Sequence, residues 1–233
     1  MVYFAHDTMA AMLRLAFALK REPLTTDVVG WLDDETFFDL GVARRSPILI
    51  EDDRIVHSDH DTDPSHSEAF ALAFLRNIDL RLTEGPALSK PLSDDAWQAV
   101  LDWRTTLTHI HARLIAPIAP AMRGIGDDPQ ALAAYKREVE HRFGQSLEEL
   151  ANDRYGAWEQ LKNRGHLIGL GRHLATGRFY FGSEPSIADC LITADLYPLQ
   201  LHDGVHLPID LMYYLARVED AAGIDLSADW LAR

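Results

Sequence analysis

Residues 181–190, Phe-Gly-Ser-Glu-Pro-Ser-Ile-Ala-Asp-Cys, announce the start of a helix. Ser186 and Asp189 stand three apart, the spacing at which a helix N-cap and the third helical residue satisfy each other's unpaired amides. Pro185 holds the entering chain extended. Ile187 opens an apolar run that continues through Leu191, Ile192 and Leu196. The segment predicts a buried helix beginning at Ser186.

Working outward, the C-terminal two-thirds of the chain read as helix throughout. Asp63-Pro64 makes an N-cap and first-residue pair, followed by Phe74, Leu75, Ile78 and Leu82 on one face. The stretch 83–91 is rich in turn residues and reads as a linker. Ser93 caps a long helix with Trp97, Val100, Leu107, Ile110 and Leu114 inward, ending near Pro117. Asp128-Pro129 starts another helix, interrupted around Gly144. One more runs from Ser146 through Leu150, Tyr155, Trp158 and Leu161, and a last one spans 211–222.

The first 57 residues differ. Val2 to Ala5 is a short β run, and 8–20 is a helix that Thr8 caps. Residues 25–29 form a second strand and 33–42 a short helix. Pro47-Ile-Leu-Ile50, the acidic turn 51–53 and Arg54-Ile-Val-His57 make a hairpin. Strand, helix, strand, helix, hairpin is the order of a thioredoxin-like domain with two parallel and two antiparallel strands. The predicted fold class is therefore α/β plus all-α: a thioredoxin-like N-terminal domain (1–83) followed by an all-helical C-terminal domain (91–233).

Composition sets bounds. The chain has 233 residues, 47% apolar and 25% charged, ordinary for a globular protein. A formal net charge of −14 argues against nucleic acid or an anionic membrane surface as the main partner, since both require a basic footprint. No apolar run reaches the about 20 residues of a membrane span, and no signal peptide is expected. Cys190, the lone cysteine, excludes an internal disulfide and fits a reducing cytoplasm; it reads as a buried small hydrophobe.

The run Gly182-x-x-Pro185-Ser186-x-Ala188-Asp189, preceded by Phe179-Tyr180-Phe181, resembles the motif that opens the buried helix in the C-terminal domain of glutathione S-transferases. The order of elements extends this resemblance over nearly the whole chain. It implies a cytoplasmic homodimer with glutathione as co-substrate, its thiolate attacking a small hydrophobic electrophile by substitution, epoxide opening or ether cleavage. No metal is implied. A non-catalytic binding or scaffold module, a glutathione-dependent isomerase and a thiol-supplying step in a specialised biosynthetic pathway remain open alternatives.

The resemblance also assigns candidate residues. Ser46-Pro47 matches the pair whose proline is cis and whose preceding residue binds glutathione through its backbone. Ser58-Asp59 stands, in reversed order, where the family places an acid-serine pair for the γ-glutamyl group. Thr8, with Asp7 beside it, falls where the family donates a hydrogen bond to the glutathione sulfur, favouring the nucleophilic thiolate. An ionised Asp7 would oppose that thiolate. Tyr3 and His6 are nearby substitutes. Trp103, His109 and His111, on the helix that contacts the second substrate in the family, are the substrate candidates.

Two metal patterns are incomplete. Asp59-x-Asp61-x-Asp63 lacks the glycine and distal glutamate of a calcium loop, and the pairs His57/His60 and His109/His111 lack a full ligand set. Gly165, Gly169 and Gly171 lack phosphate-loop spacing and are expected to mark helix ends.

Overall fold

The computed structural model describes residues 1–56 and 65–231, and side chains outside 57–67. Strand β1 (Val2–Tyr3) runs parallel to β2 (Asp27–Val28). On its other edge, Val2 and Ile48 exchange backbone hydrogen bonds of 2.9 and 2.8 Å in the antiparallel sense. The hairpin β3 (Ile50–Glu51) and β4 (Arg54–Ile55) follows. Its two loop residues, Asp52 and Asp53, have φ of 48° and 60°, the left-handed pair that a two-residue hairpin turn requires. The strand order matches the thioredoxin-like expectation, but each ladder is only two residues long. The Phe4 amide leaves the ladder for Ser46 Oγ at 3.0 Å, and the Trp31 amide leaves for the Gly124 carbonyl at 2.7 Å.

Helix α1 (Thr8–Leu19) is capped by Asp7, not by Thr8. Asp7 has the extended backbone a cap needs (φ −80°, ψ 111°), and its Oδ1 accepts the Met9 amide at 2.8 Å. Thr8 is already the first helical residue. After α2 (Glu35–Asp39), α3 (Ser65–Arg76) and α4 (Ile78–Arg81), the linker is tied back onto the first domain. Buried Lys20, just past α1, donates to Asp79 Oδ1 at 2.8 Å and to the Pro86 carbonyl at 3.0 Å, while Asp79 accepts the amides of Leu88 and Ser89.

Helix α5 (Asp94–Ile115) begins at the Ser93 cap and stops before Pro117. Helix α6 (Pro129–Phe143) has Asp128 as cap and ends on left-handed Gly144. Two expectations fail beyond it. The single helix expected from Ser146 is two, α7 (Leu147–Asn152) and α8 (Arg154–Arg164), because Asp153 breaks the run with ψ near 0° while its carboxylate pairs with Arg113 of α5. Gly165 does end α8, but Gly169 and Gly171 lie inside a helix, α9 (Leu167–Thr176). There Gly171 faces α11 (Ile209–Ala222), where a Cβ would sit in ordinary contact with Asp210 and Leu211 at 3.6 Å.

Helix α10 (Ile187–Leu196) is buried at all ten positions. Its capping box forms as read: Asp189 Oδ2 accepts from Ser186 N–H at 2.8 Å and from its hydroxyl at 2.7 Å. The second oxygen accepts the Tyr180 amide and the Tyr214 hydroxyl, at 2.8 and 2.7 Å. A carboxylate with four donors is tolerated at zero exposure. Residues of α1 (Met12, Leu13, Leu15) share one core with those of α10 (Leu191, Ile192), and the opposite side of β1 shares another with Tyr135 and Val139 of α6. The helical part therefore grips the small sheet domain from two sides, leaving a cleft between them.

Candidate functional site

The cleft has a volume of roughly 380 Å3. One wall is the β1–α1 connection, with His6, Asp7 and Thr8, together with Ser46. The other is built by Trp103, Arg104, Leu107 and His111 of α5, Tyr135 and Val139 of α6, and Asp195 of α10. It is charged where α1 begins, and toward α6 it mixes Tyr135, Val139 and Phe143 with Glu138 and Arg142.

The Ser46–Pro47 peptide bond is cis. The Ser46 hydroxyl accepts the Phe4 amide at 3.0 Å and donates to Asp7 Oδ2 at 2.5 Å, so the loop before β3 is fastened to the start of α1. Burial pushes the Asp7 carboxyl above its ordinary value, and Glu68 adds to that; hydrogen bonds from Ser46, Met9 and Ala10 offset part of it. The Thr8 hydroxyl lines the cleft and makes no hydrogen bond to another described residue.

His6 sits beside this pair in an aromatic wall, with ring centroids 6.0 Å from Phe4, 5.4 Å from Trp31 and 5.6 Å from Tyr135. Burial, together with the positive charges of Arg142 and Arg44, lowers its pKa to about 4. The imidazole is therefore neutral at neutral pH. Its buried Nδ1 has no partner among the described residues.

Arg104 lies across from α1. Its Nε and Nη2 reach the two oxygens of Asp195 at 2.7 and 3.2 Å, Nη1 lies 3.5 Å from Glu68, and Nη2 is 3.7 Å from the Met9 sulfur. One guanidinium thus links α5, α10, α3 and the first turn of α1. His111 Nε2 lies 2.6 Å from the Asp195 carbonyl oxygen, and Trp103 donates its indole N–H to the Gly165 carbonyl at 3.2 Å.

Asp7, Thr8, Ser46, Trp103 and His111 are therefore brought to one cleft. His109 is not: it is exposed on the far side of α5, its ring 6.5 Å from that of Phe143. Tyr3 points away, donating its hydroxyl to Asp229 at 2.5 Å. Ser58 and Asp59 lie outside the described residues. Sequence reasoning missed Arg104, Glu68 and Asp195. The available signal was that Arg104 and His111 share the inward stripe of α5 with Val100 and Leu107, a place where charge needs a reason. Among the described residues no group of three His, Cys, Asp or Glu side chains could hold a metal ion, and no helix is long and apolar enough to cross a membrane.

No protein-family model matches the chain, and no curated protein matches it in sequence. Solved structures do match in fold. Glutaredoxin 2 from Salmonella typhimurium in complex with glutathione superposes with a TM-score of 0.74 at 20% identity, covering 97% of this chain and 94% of the other. A glutathione S-transferase of Ceriporiopsis subvermispora in complex with glutathione gives 0.61 at 18% identity, covering 93% and 90%. A glutathione S-transferase from Pseudomonas fluorescens gives 0.52 at 17%, covering 97% and 96%. The chain has the glutathione S-transferase fold.

Proposed function

We propose that the protein is a glutathione-dependent transferase, conjugating the glutathione thiolate to a small hydrophobic electrophile. The observation that carries this reading is the cleft itself. It sets Ser46, the residue before the cis bond, and the start of α1 opposite Trp103 and Leu107 of α5 and Tyr135 and Val139 of α6, a polar wall suited to a thiol peptide facing apolar side chains suited to an apolar partner. Glutathione would lie along Ser46 and Pro47 and reach toward Ser58 and Asp59, its sulfur at the N-terminus of α1 beside Thr8. Proximity to an electrophile held against Trp103 and His111 supplies the rate. The chain acts as a cytoplasmic homodimer, and the sites require no metal.

Calorimetric titration with glutathione, alongside a Ser58→Ala/Asp59→Ala variant, is the test. Micromolar to millimolar binding that the variant loses is expected, followed by turnover of an aryl halide or epoxide with stoichiometric consumption of glutathione. No binding by the wild-type protein sinks the enzyme reading. Turnover without glutathione consumption replaces transfer by isomerisation.

A further inference from the structure

We propose that Asp7 is the proton acceptor for the glutathione thiol, so that thiol activation at this site is a proton exchange between sulfur and carboxylate. The inference rests on the glutathione-binding reading above.

The argument begins with charge. Around the start of α1 stand the carboxylates of Asp7, Glu68 of α3 and Asp195 of α10, with the guanidinium of Arg104 of α5 among them; Arg45 also lines the cleft. His6, next in the chain, carries no charge at neutral pH. Glu138 and Arg142 of α6 line the cleft as well, so with Asp7 ionised four negative charges face three positive ones. A thiol that lost its proton to solvent would add a further negative charge to this cluster, beside buried Asp195, which is unfavourable for the same reason that paired carboxylates share one proton. Transfer of that proton to Asp7 leaves the total unchanged. The negative charge moves from oxygen to sulfur, still facing the amides of the first turn of α1.

The geometry suits an acceptor. Asp7 Oδ1 is committed to the Met9 amide and Oδ2 to the Ser46 hydroxyl. Since Ser46 Oγ already accepts the Phe4 amide, its single hydrogen is free to point at Asp7. The Ala10 amide supplies a third hydrogen bond, which leaves the carboxylate one further lone-pair position, and these bonds to backbone and to the loop before β3 hold the group in place at the cleft. Burial pushes its affinity for a proton up, the direction a base for a thiol needs.

The step balances. The S–H bond breaks and an O–H bond forms on Asp7. A sulfur lone pair forms the S–C bond as the bond from carbon to the leaving group breaks, and that group keeps the bonding pair. The carboxyl proton then passes to the alkoxide of an opened epoxide or, where the leaving group is a weak base such as chloride, to solvent, restoring the carboxylate.

The test follows the ultraviolet band of thiolate in bound glutathione, with proton release on binding measured by calorimetry in buffers of different ionisation enthalpy. Asp7→Asn keeps a capping oxygen, and Asp7→Ser serves as a second variant with a different capping side chain. The expected result is a thiolate band in the wild-type complex without net proton release, and loss of that band in both variants while glutathione affinity is retained. With chlorodinitrobenzene as electrophile, kcat should fall about 10²–10⁴-fold at unchanged KM for glutathione. A band that persists or strengthens in the variants, the result expected if Asp7 merely repels the thiolate, overturns the proposal. So does net proton release by the wild-type protein. Absence of glutathione binding by the wild-type protein overturns the function proposed above instead, a separate outcome read before any variant is made.

Discussion

The guanidinium of Arg104 and the carboxylate of Asp195 meet face to face across the helical domain, with two contacts of 2.7 and 3.2 Å and both side chains about nine-tenths buried. Desolvation works against the charge on Arg104, yet the charges of Asp195, Glu68 and Asp7 hold its pKa above the ordinary value. Arg104→Ala leaves a buried, unpaired Asp195 and is expected to cost about 3–5 kcal/mol, whereas replacing both members by apolar residues of similar volume should recover most of that. Urea unfolding of the single and double variants measures the difference.

The Lys20–Asp79 pair makes a pH-dependent latch on the linker. Burial raises the Asp79 pKa, but hydrogen bonds from Lys20, Ser89 and Leu88 outweigh it and hold the acid below its ordinary range. A depressed carboxylate contributes stability above its unfolded pKa, about 3.9, and loses it as pH falls through the folded value. Asp79→Asn should therefore cost about 2–4 kcal/mol at neutral pH, the lower end allowing for partial exposure, and progressively less below pH about 4. Unfolding curves taken across that range decide it.

His6 acts in the opposite direction to a paired histidine. Its folded pKa of about 4 lies below the ordinary value, so between there and pH about 6.5 the unfolded chain binds a proton that the folded chain does not. Stability should fall as pH drops through that window, by at most about 1.4 kcal/mol per pH unit from this residue. A His6→Phe variant should show a flatter profile, measured as the difference in unfolding free energy between wild type and variant.

Cys190 is fully buried in α10, and burial, reinforced by neighbouring Asp189, pushes its thiol well above the ordinary range. Under native conditions it should resist iodoacetamide on the timescale in which free glutathione reacts fully. Its labelling rate should track global unfolding as denaturant is added.

The buried helix was readable because its evidence is local. Ser186, Asp189 and the apolar run after them decide cap, register and burial within one stretch, and the structure adds only Tyr180 and Tyr214 as further donors. The hairpin and the Ser46–Pro47 edge were readable for the same reason. The α7–α8 break was not, because Asp153 is held by Arg113, forty positions earlier. Helix α9 was hidden by Gly169 and Gly171, which on a propensity scale resemble helix ends although they lie inside the helix. At the candidate site, Thr8 looked like a cap because hydroxyl residues favour that place, but the preceding aspartate competes for the same role and holds it. Arg104 showed only its place on the inward stripe of α5, because its partners, Glu68 and Asp195, are remote in the chain and meet only after folding.

Asp229 carries a consequence for the order in which the molecule can be completed. Its carboxylate receives the Tyr3 hydroxyl at 2.5 Å and the Arg14 guanidinium at 2.8 Å, while its backbone carbonyl accepts the Arg123 amide. Tyr3 is made 226 positions before its partner. During synthesis on the ribosome the first strand and first helix therefore emerge with a phenol and a guanidinium unmatched. The Tyr3 and Arg14 contacts of the thioredoxin-like half cannot close until Asp229 of the helical half has been translated.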